Sequence, residues 1–135
     1  MTQTELTAPR VLHVDDEDDI RVIAQIAIEV VGGLPLLQCS NGPDALALAP
    51  DFHPDVFLLD WMMPEMTGEE TLAKLRLIKG FENIPAIFIT AKAQAEDIAH
   101  LLSIGSIDVI TKPFDPLTLA ATVVATLKRH AQKHG

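Results

Sequence analysis

Cysteine is nearly missing from this chain: Cys39 is the only one, with no partner for an internal disulfide and no CxxC neighbour. That excludes a disulfide framework and a thiolate metal site, and it fits a reducing compartment, so the cytoplasm is the expected location. Positive charge is also scarce. Ten Lys and Arg stand against 19 Asp and Glu, a formal net charge of −9, whose field repels phosphate backbones, so no direct nucleic-acid contact is expected. Such a chain attracts metal cations and basic partner surfaces instead. No window approaches the roughly eighteen uninterrupted apolar residues of a membrane span, and residues 1–10 hold no apolar core of a signal peptide. Neither membrane insertion nor export is expected. Repeats, low-complexity stretches and inter-domain linkers are absent as well. What remains is 135 residues, 48% of them hydrophobic, enough for one domain with a real core.

Short apolar runs alternate with segments of helical spacing, the pattern of strand, crossover helix and parallel strand. Val11-Leu12-His13-Val14 reads as a first strand that stops at Asp15-Asp16-Glu17-Asp18-Asp19. Apolar residues from Ile20 to Val31 then recur at three and four, and Gly32-Gly33 closes this first helix. Leu34 to Cys39 reads as a second strand, put at an edge by Pro35. Ser40-Asn41-Gly42-Pro43 is a turn with a capping residue, followed by a short helix from Asp44 to Ala49 that Pro50 stops. Asp55 to Asp60 is apolar on both faces, as a central parallel strand must be, and ends in a carboxylate. Helices are then expected over Glu69–Ile78, Ala95–Ile104 and Asp115–Arg129, and strands over Pro85–Thr90 and Ile107–Thr111. Five strands and five helices on short connections imply a doubly wound α/β sheet with right-handed crossovers.

In such a sheet ligands bind beyond the carboxyl ends of the strands. Strand one leaves Asp15 and Asp16 there, strand three Asp60, strand four Thr90, and strand five Lys112 followed by Pro113. Three carboxylates cannot stay ionised side by side without a cation, and hard oxygen ligands describe Mg²⁺ rather than zinc. Mg²⁺ held by carboxylates together with phosphate oxygens is an arrangement for phosphoryl transfer, in which one carboxylate can be the nucleophile.

Four segments carry a family resemblance: Val11-Leu12-His13-Val14-Asp15-Asp16-Glu17, Leu58-Leu59-Asp60-Trp61-Met62-Met63-Pro64-Glu65-Met66-Thr67-Gly68, Ile87-Phe88-Ile89-Thr90-Ala91 and Ile110-Thr111-Lys112-Pro113-Phe114. Over about residues 9–130 the chain resembles the receiver domain of two-component response regulators. The resemblance implies a flavodoxin-like five-stranded sheet of strand order 2-1-3-4-5. It implies that Asp60 accepts a phosphoryl group from a sensor histidine kinase or a histidine phosphotransfer protein. Asp16, Asp60 and the backbone carbonyl of Met62 would hold Mg²⁺, with Asp15 helping directly or through water. Lys112 would pair with the phosphoryl oxygens and Thr90 would hydrogen-bond to them. Residues 1–8 would be an extension and 131–135 a tail. No output domain is expected in this length, so the signal would pass to a separate effector protein, and the chain would not be a turnover enzyme.

Two positions depart from the family pattern. Val109 stands where an aromatic residue usually precedes the strand-five lysine, so the usual pairing of threonine and aromatic movement cannot operate in its familiar form. Met62, two residues past the acceptor, offers no strong hydrogen bond to an attacking water, and Lys92 stands two past Thr90; slow self-dephosphorylation is expected. Plainer readings compete elsewhere. The acid run alone is also what a solvated helix start looks like, and Asp18 and Asp19 keep that reading. An EF-hand fails for want of the loop glycine, with Ile26 at the twelfth place from Asp15. Trp61 is read as packing at the pocket rim, His130 and His134 as a frayed cationic turn, and His13, His53 and His100 as isolated. Two alternatives stay open: a degenerate receiver scaffold with phosphate-independent output, and a Mg²⁺-dependent phosphohydrolase. The second is disfavoured because Met62 occupies the place of its usual second acid.

Overall fold

The computed structural model describes residues 8–134; the expected extension, Ala8 apart, and Gly135 lie outside the described residues. The strands are β1 (Val11–Val14), β2 (Leu36–Cys39), β3 (Val56–Asp60), β4 (Ala86–Thr90) and β5 (Ser106–Thr111). They form one parallel sheet of order β2-β1-β3-β4-β5, the order and class expected. The helices are α1 (Asp18–Gln25), α2 (Gly42–Phe52), α3 (Gly68–Leu75), α4 (Ala95–Ser103) and α5 (Leu119–His134).

Period-two alternation along strands that are apolar on both sides divides the core. Leu12, Val14, Phe57, Leu59 and Phe88 face one layer, where they meet Ala45 and Ala49 of α2, Leu72 and Leu75 of α3 and Leu101 of α4. Val11, Val56, Leu58, Ile87 and Ile89 face the other, against Ala24 and the Leu119, Ala120 and Val123 stripe of α5. With both faces covered, all four residues of β1 and all five of β3 and β4 are buried. No described helix is long and apolar enough to cross a membrane.

Several boundaries differ from the sequence reading. α1 is followed directly by a π-helical turn over Ile26–Val31, and Gly32 closes it so tightly against α5 that a Cβ there would lie 2.2 Å from that of Ala120. Pro50 does not stop α2, which runs two residues further. A proline in the last turn removes only one helical bond, and Arg10 holds the end by donating from Nε to the Phe52 carbonyl at 2.8 Å while its guanidinium lies 4.3 Å from the Phe52 ring centre. Pro35 falls just before β2, and β2 is an edge strand as expected. α3 is shorter than read and opens on a capping box of Thr67 and Glu70. α5 starts later and continues as helix through the residues read as a tail.

Candidate functional site

Parallel pairing aligns the strand ends and thereby gathers the polar residues that follow them. Val14 pairs with Leu59 and Asp60 with Ile89, so Asp15, Asp60 and Thr90 emerge side by side. Thr90 pairs with Thr111, and Lys112 N donates to the Thr90 carbonyl at 2.9 Å, bringing Lys112 to the same edge. Carboxylate oxygens of Asp15, Asp16 and Asp60 lie within 4.8 Å of one another. Asp15 and Asp60 are buried, whereas Asp16 is exposed. The Lys112 ammonium lies 3.0 Å from Asp15 Oδ2, 3.5 Å from Asp60 Oδ1 and 2.9 Å from Glu17 Oε1.

Burial and crowding set the electrostatics. Burial first, and then the neighbouring Asp15 charge, push the Asp60 carboxyl up to about 7, against the opposing pull of Lys112. Burial also raises Asp15, although the Glu17 backbone N–H and Lys112 favour its ionised form. Lys112 shows the reverse balance: burial disfavours its charge, but Glu17 and Asp15 outweigh that and hold it above the ordinary lysine value. Asp15 Oδ2 is buried, and although ion-paired to Lys112 it accepts no well-directed hydrogen bond. A crowded set of carboxylate oxygens with a buried acceptor left over is the donor chemistry that suits a hard divalent cation.

The surroundings are mixed. Thr90 is buried, and its Oγ1 accepts from Lys92 N at 3.0 Å. Met62 is 56% exposed on the connection after β3. Trp61 is half-buried against the core layer of α2, α3 and α4, with the His100 ring centre 5.9 Å away and Lys92 Nζ 5.7 Å from its own ring centre. That is the rim position expected of it. His100 is not isolated: its Nε2 lies 2.8 Å from Glu69 Oε1, linking α4 to α3. His13 is also partnered. Gln38 Nε2 donates to its Nδ1 at 3.1 Å, its Nε2 has no partner, and burial, reinforced by Lys112 and Arg21, lowers its pKa to about 3. Val109 is partly buried against the same layer as Trp61. Sequence reading missed Glu17, because an ion pair across 95 residues leaves no local signal.

The response regulator receiver domain model matches residues 11–124. The phosphate regulon transcriptional regulatory protein PhoB of Pseudomonas aeruginosa is 39% identical over 119 residues, which cover 88% of this chain and 52% of that protein. The chain spans about half the length, or less, of the curated relatives it matches. Among solved structures, chemotaxis protein CheY4 of Vibrio cholerae superposes with a TM-score of 0.81 at 28% identity, covering 89% of this chain and 99% of that one. The receiver domain of Francisella response regulator 1452 gives 0.78 at 34% identity, covering 90% and 98%. Strand order, acidic strand ends and sequence likeness agree, and the chain belongs to the response regulator receiver domain family, the signalling modules of two-component systems.

Proposed function

We propose that this receiver accepts a phosphoryl group on a carboxylate oxygen of Asp60, and that residues 9–130 form the unit that does so, between an extension (1–8) and a tail (131–135). The observation that carries this reading is the buried Asp60 carboxylate beside the Lys112 ammonium within one cluster of acids. An Asp60 oxygen attacks phosphorus as the bond to the donor nitrogen breaks, and the electron pair of that bond leaves with the donor imidazole. The donor is thus a phosphorylated histidine, on a sensor kinase or a phosphotransfer protein, and a downstream effector reads the product. Asp15, Asp16, Asp60 and the Met62 carbonyl would hold Mg²⁺. When bound, that ion supplies positive charge to the carboxylates and to the phosphoryl oxygens. Lys112 offsets charge on the transferring group, and Thr90, whose oxygen already accepts from Lys92 N, has its own proton to give to a phosphoryl oxygen. The absence of a nucleic-acid surface is proposed for this chain's acidic residues alone, since it spans only about half of a transcriptional regulator such as PhoB. A cytoplasmic location goes with a kinase partner.

Incubation with Mg²⁺ and acetyl phosphate, followed by intact mass, tests the reading. Wild type is expected to gain one phosphoryl group and Asp60→Asn none. Turnover of the donor without an adduct would instead favour a hydrolase, and no reaction a scaffold. A second outcome concerns persistence. The wild-type adduct should last minutes or longer, and Met62→Asn, which offers a hydrogen-bonding group to the attacking water, should shorten its life about tenfold or more. Loss within seconds in wild type, unchanged in the variant, would contradict that role for Met62.

A further inference from the structure

The three carboxylates around Lys112 are not equivalent. Asp15 is wholly buried and the Asp60 side chain is 5% exposed, but the Glu17 side chain is 57% exposed at the rim. Glu17 occupies the N-cap position of α1, yet its side chain makes no capping hydrogen bond. It accepts instead from Lys112 Nζ at 2.9 Å, the shortest of the three contacts and the only one of the three with hydrogen-bond geometry toward the ammonium. Its backbone explains the reach: Glu17 N donates to Asp15 Oδ1 at 2.9 Å, a tight turn that sets the Glu17 side chain over the strand ends.

We propose that Glu17 is a positioning residue, which holds the Lys112 ammonium at the rim in the resting protein and is displaced from it by the arriving phosphoryl group. The proposal rests on phosphoryl acceptance by Asp60. An ammonium has three N–H donors, and three carboxylates already surround this one, so a phosphoryl oxygen must take the place of one of them. Asp15 cannot give up its partner without leaving a buried charge unpaired, and Asp60 carries the incoming group. Glu17 yields at least cost, because water replaces the lost contact at a site more than half exposed. Once released, its carboxylate lies at the amino end of α1, where unpaired amides and the helix dipole favour an anion. Glu17 therefore competes with the phosphoryl group for Lys112, and phosphorylation is transmitted to the start of α1 without any aromatic residue at position 109.

The test uses the single tryptophan, Trp61, as reporter while beryllium trifluoride anion, a phosphoryl mimic, is titrated in saturating Mg²⁺. Glu17→Gln is expected to bind the mimic about threefold tighter than wild type, the scale of one exposed ion pair. Glu17→Asp keeps the charge but shortens the arm, and it should also bind tighter than wild type if contact with Lys112 is the cause. Two results would overturn the proposal: Glu17→Gln binding no tighter than wild type, or Glu17→Asp matching wild type while Glu17→Gln gains, which would reduce Glu17 to a general field effect. Intact mass on the same samples separates the two levels. If wild type forms no Asp60 adduct with acetyl phosphate, the underlying reading has failed; if all three proteins form it and affinities do not move as stated, only the role of Glu17 has.

Discussion

In EDTA, the wild-type protein should lose almost no stability between about pH 7 and pH 5, while Asp60→Asn should lose about 2 kcal/mol over the same range. Two buried groups with opposite slopes produce this difference. His13 is lowered from 6.5 to about 3, so between those values the unfolded chain binds a proton that the fold refuses, and stability falls as pH drops. Asp60 is raised from 3.8 to about 7, so across that window the fold holds a proton the unfolded chain releases, and stability rises as pH drops. Between pH 7 and 5 each amounts to about 2 kcal/mol, with opposite sign. Asparagine at position 60 removes the second slope and exposes the first. Urea denaturation at the two pH values measures both proteins, and parallel losses would refute the assignment. At pH 7, Mg²⁺ should stabilise wild type by binding only the folded acid cluster, and should do less for the variant.

Gly68→Ala is expected to cost about 3 kcal/mol, the upper range for overpacking, and to slow phosphoryl acceptance by on the order of a hundredfold. Gly68 is the first residue of α3, and a Cβ there would sit 2.0 Å from the Asp60 carbonyl oxygen and 3.0 Å from the Trp61 Cα. Those neighbours are main chain, so no side-chain rotation relieves the clash. Gly68 N also donates to the Trp61 carbonyl at 2.9 Å, which ties α3 to the end of β3. Relief must therefore move the acceptor's own backbone, and misplacement on the scale of an ångström is what acceptor geometry tolerates least. Chemical denaturation and the rate of adduct formation by mass read the two effects. A variant with wild-type stability and rate would show that this close approach does not position Asp60.

Much of this site is legible along the chain because its parts are local. Each strand is a short apolar run, and each polar residue of interest directly follows one, so Asp15, Asp16, Asp60, Thr90 and Lys112 could be brought together from strand order alone. The capping box of Thr67 and Glu70 was also readable, as a threonine followed three residues later by glutamate, although the sequence reading began that helix at Glu69. Pro50 misled because proline propensity describes a helix interior, whereas here the last turn is held by Arg10, forty residues away. His100 and Glu69 share no sequence signal, since their contact exists only after α3 and α4 pack side by side.

By itself the sequence determined the order of elements, the doubly wound class and the list of groups at the strand ends, because hydrophobic period and strand termination are written in neighbouring residues. The tertiary structure alone decided which acid is buried and which stands at the rim, that His13 is held neutral, and that Lys112 is shared by Asp15, Asp60 and Glu17. Burial and charge pairing depend on residues far apart in the chain, and they are fixed only when parallel pairing brings the strand ends together.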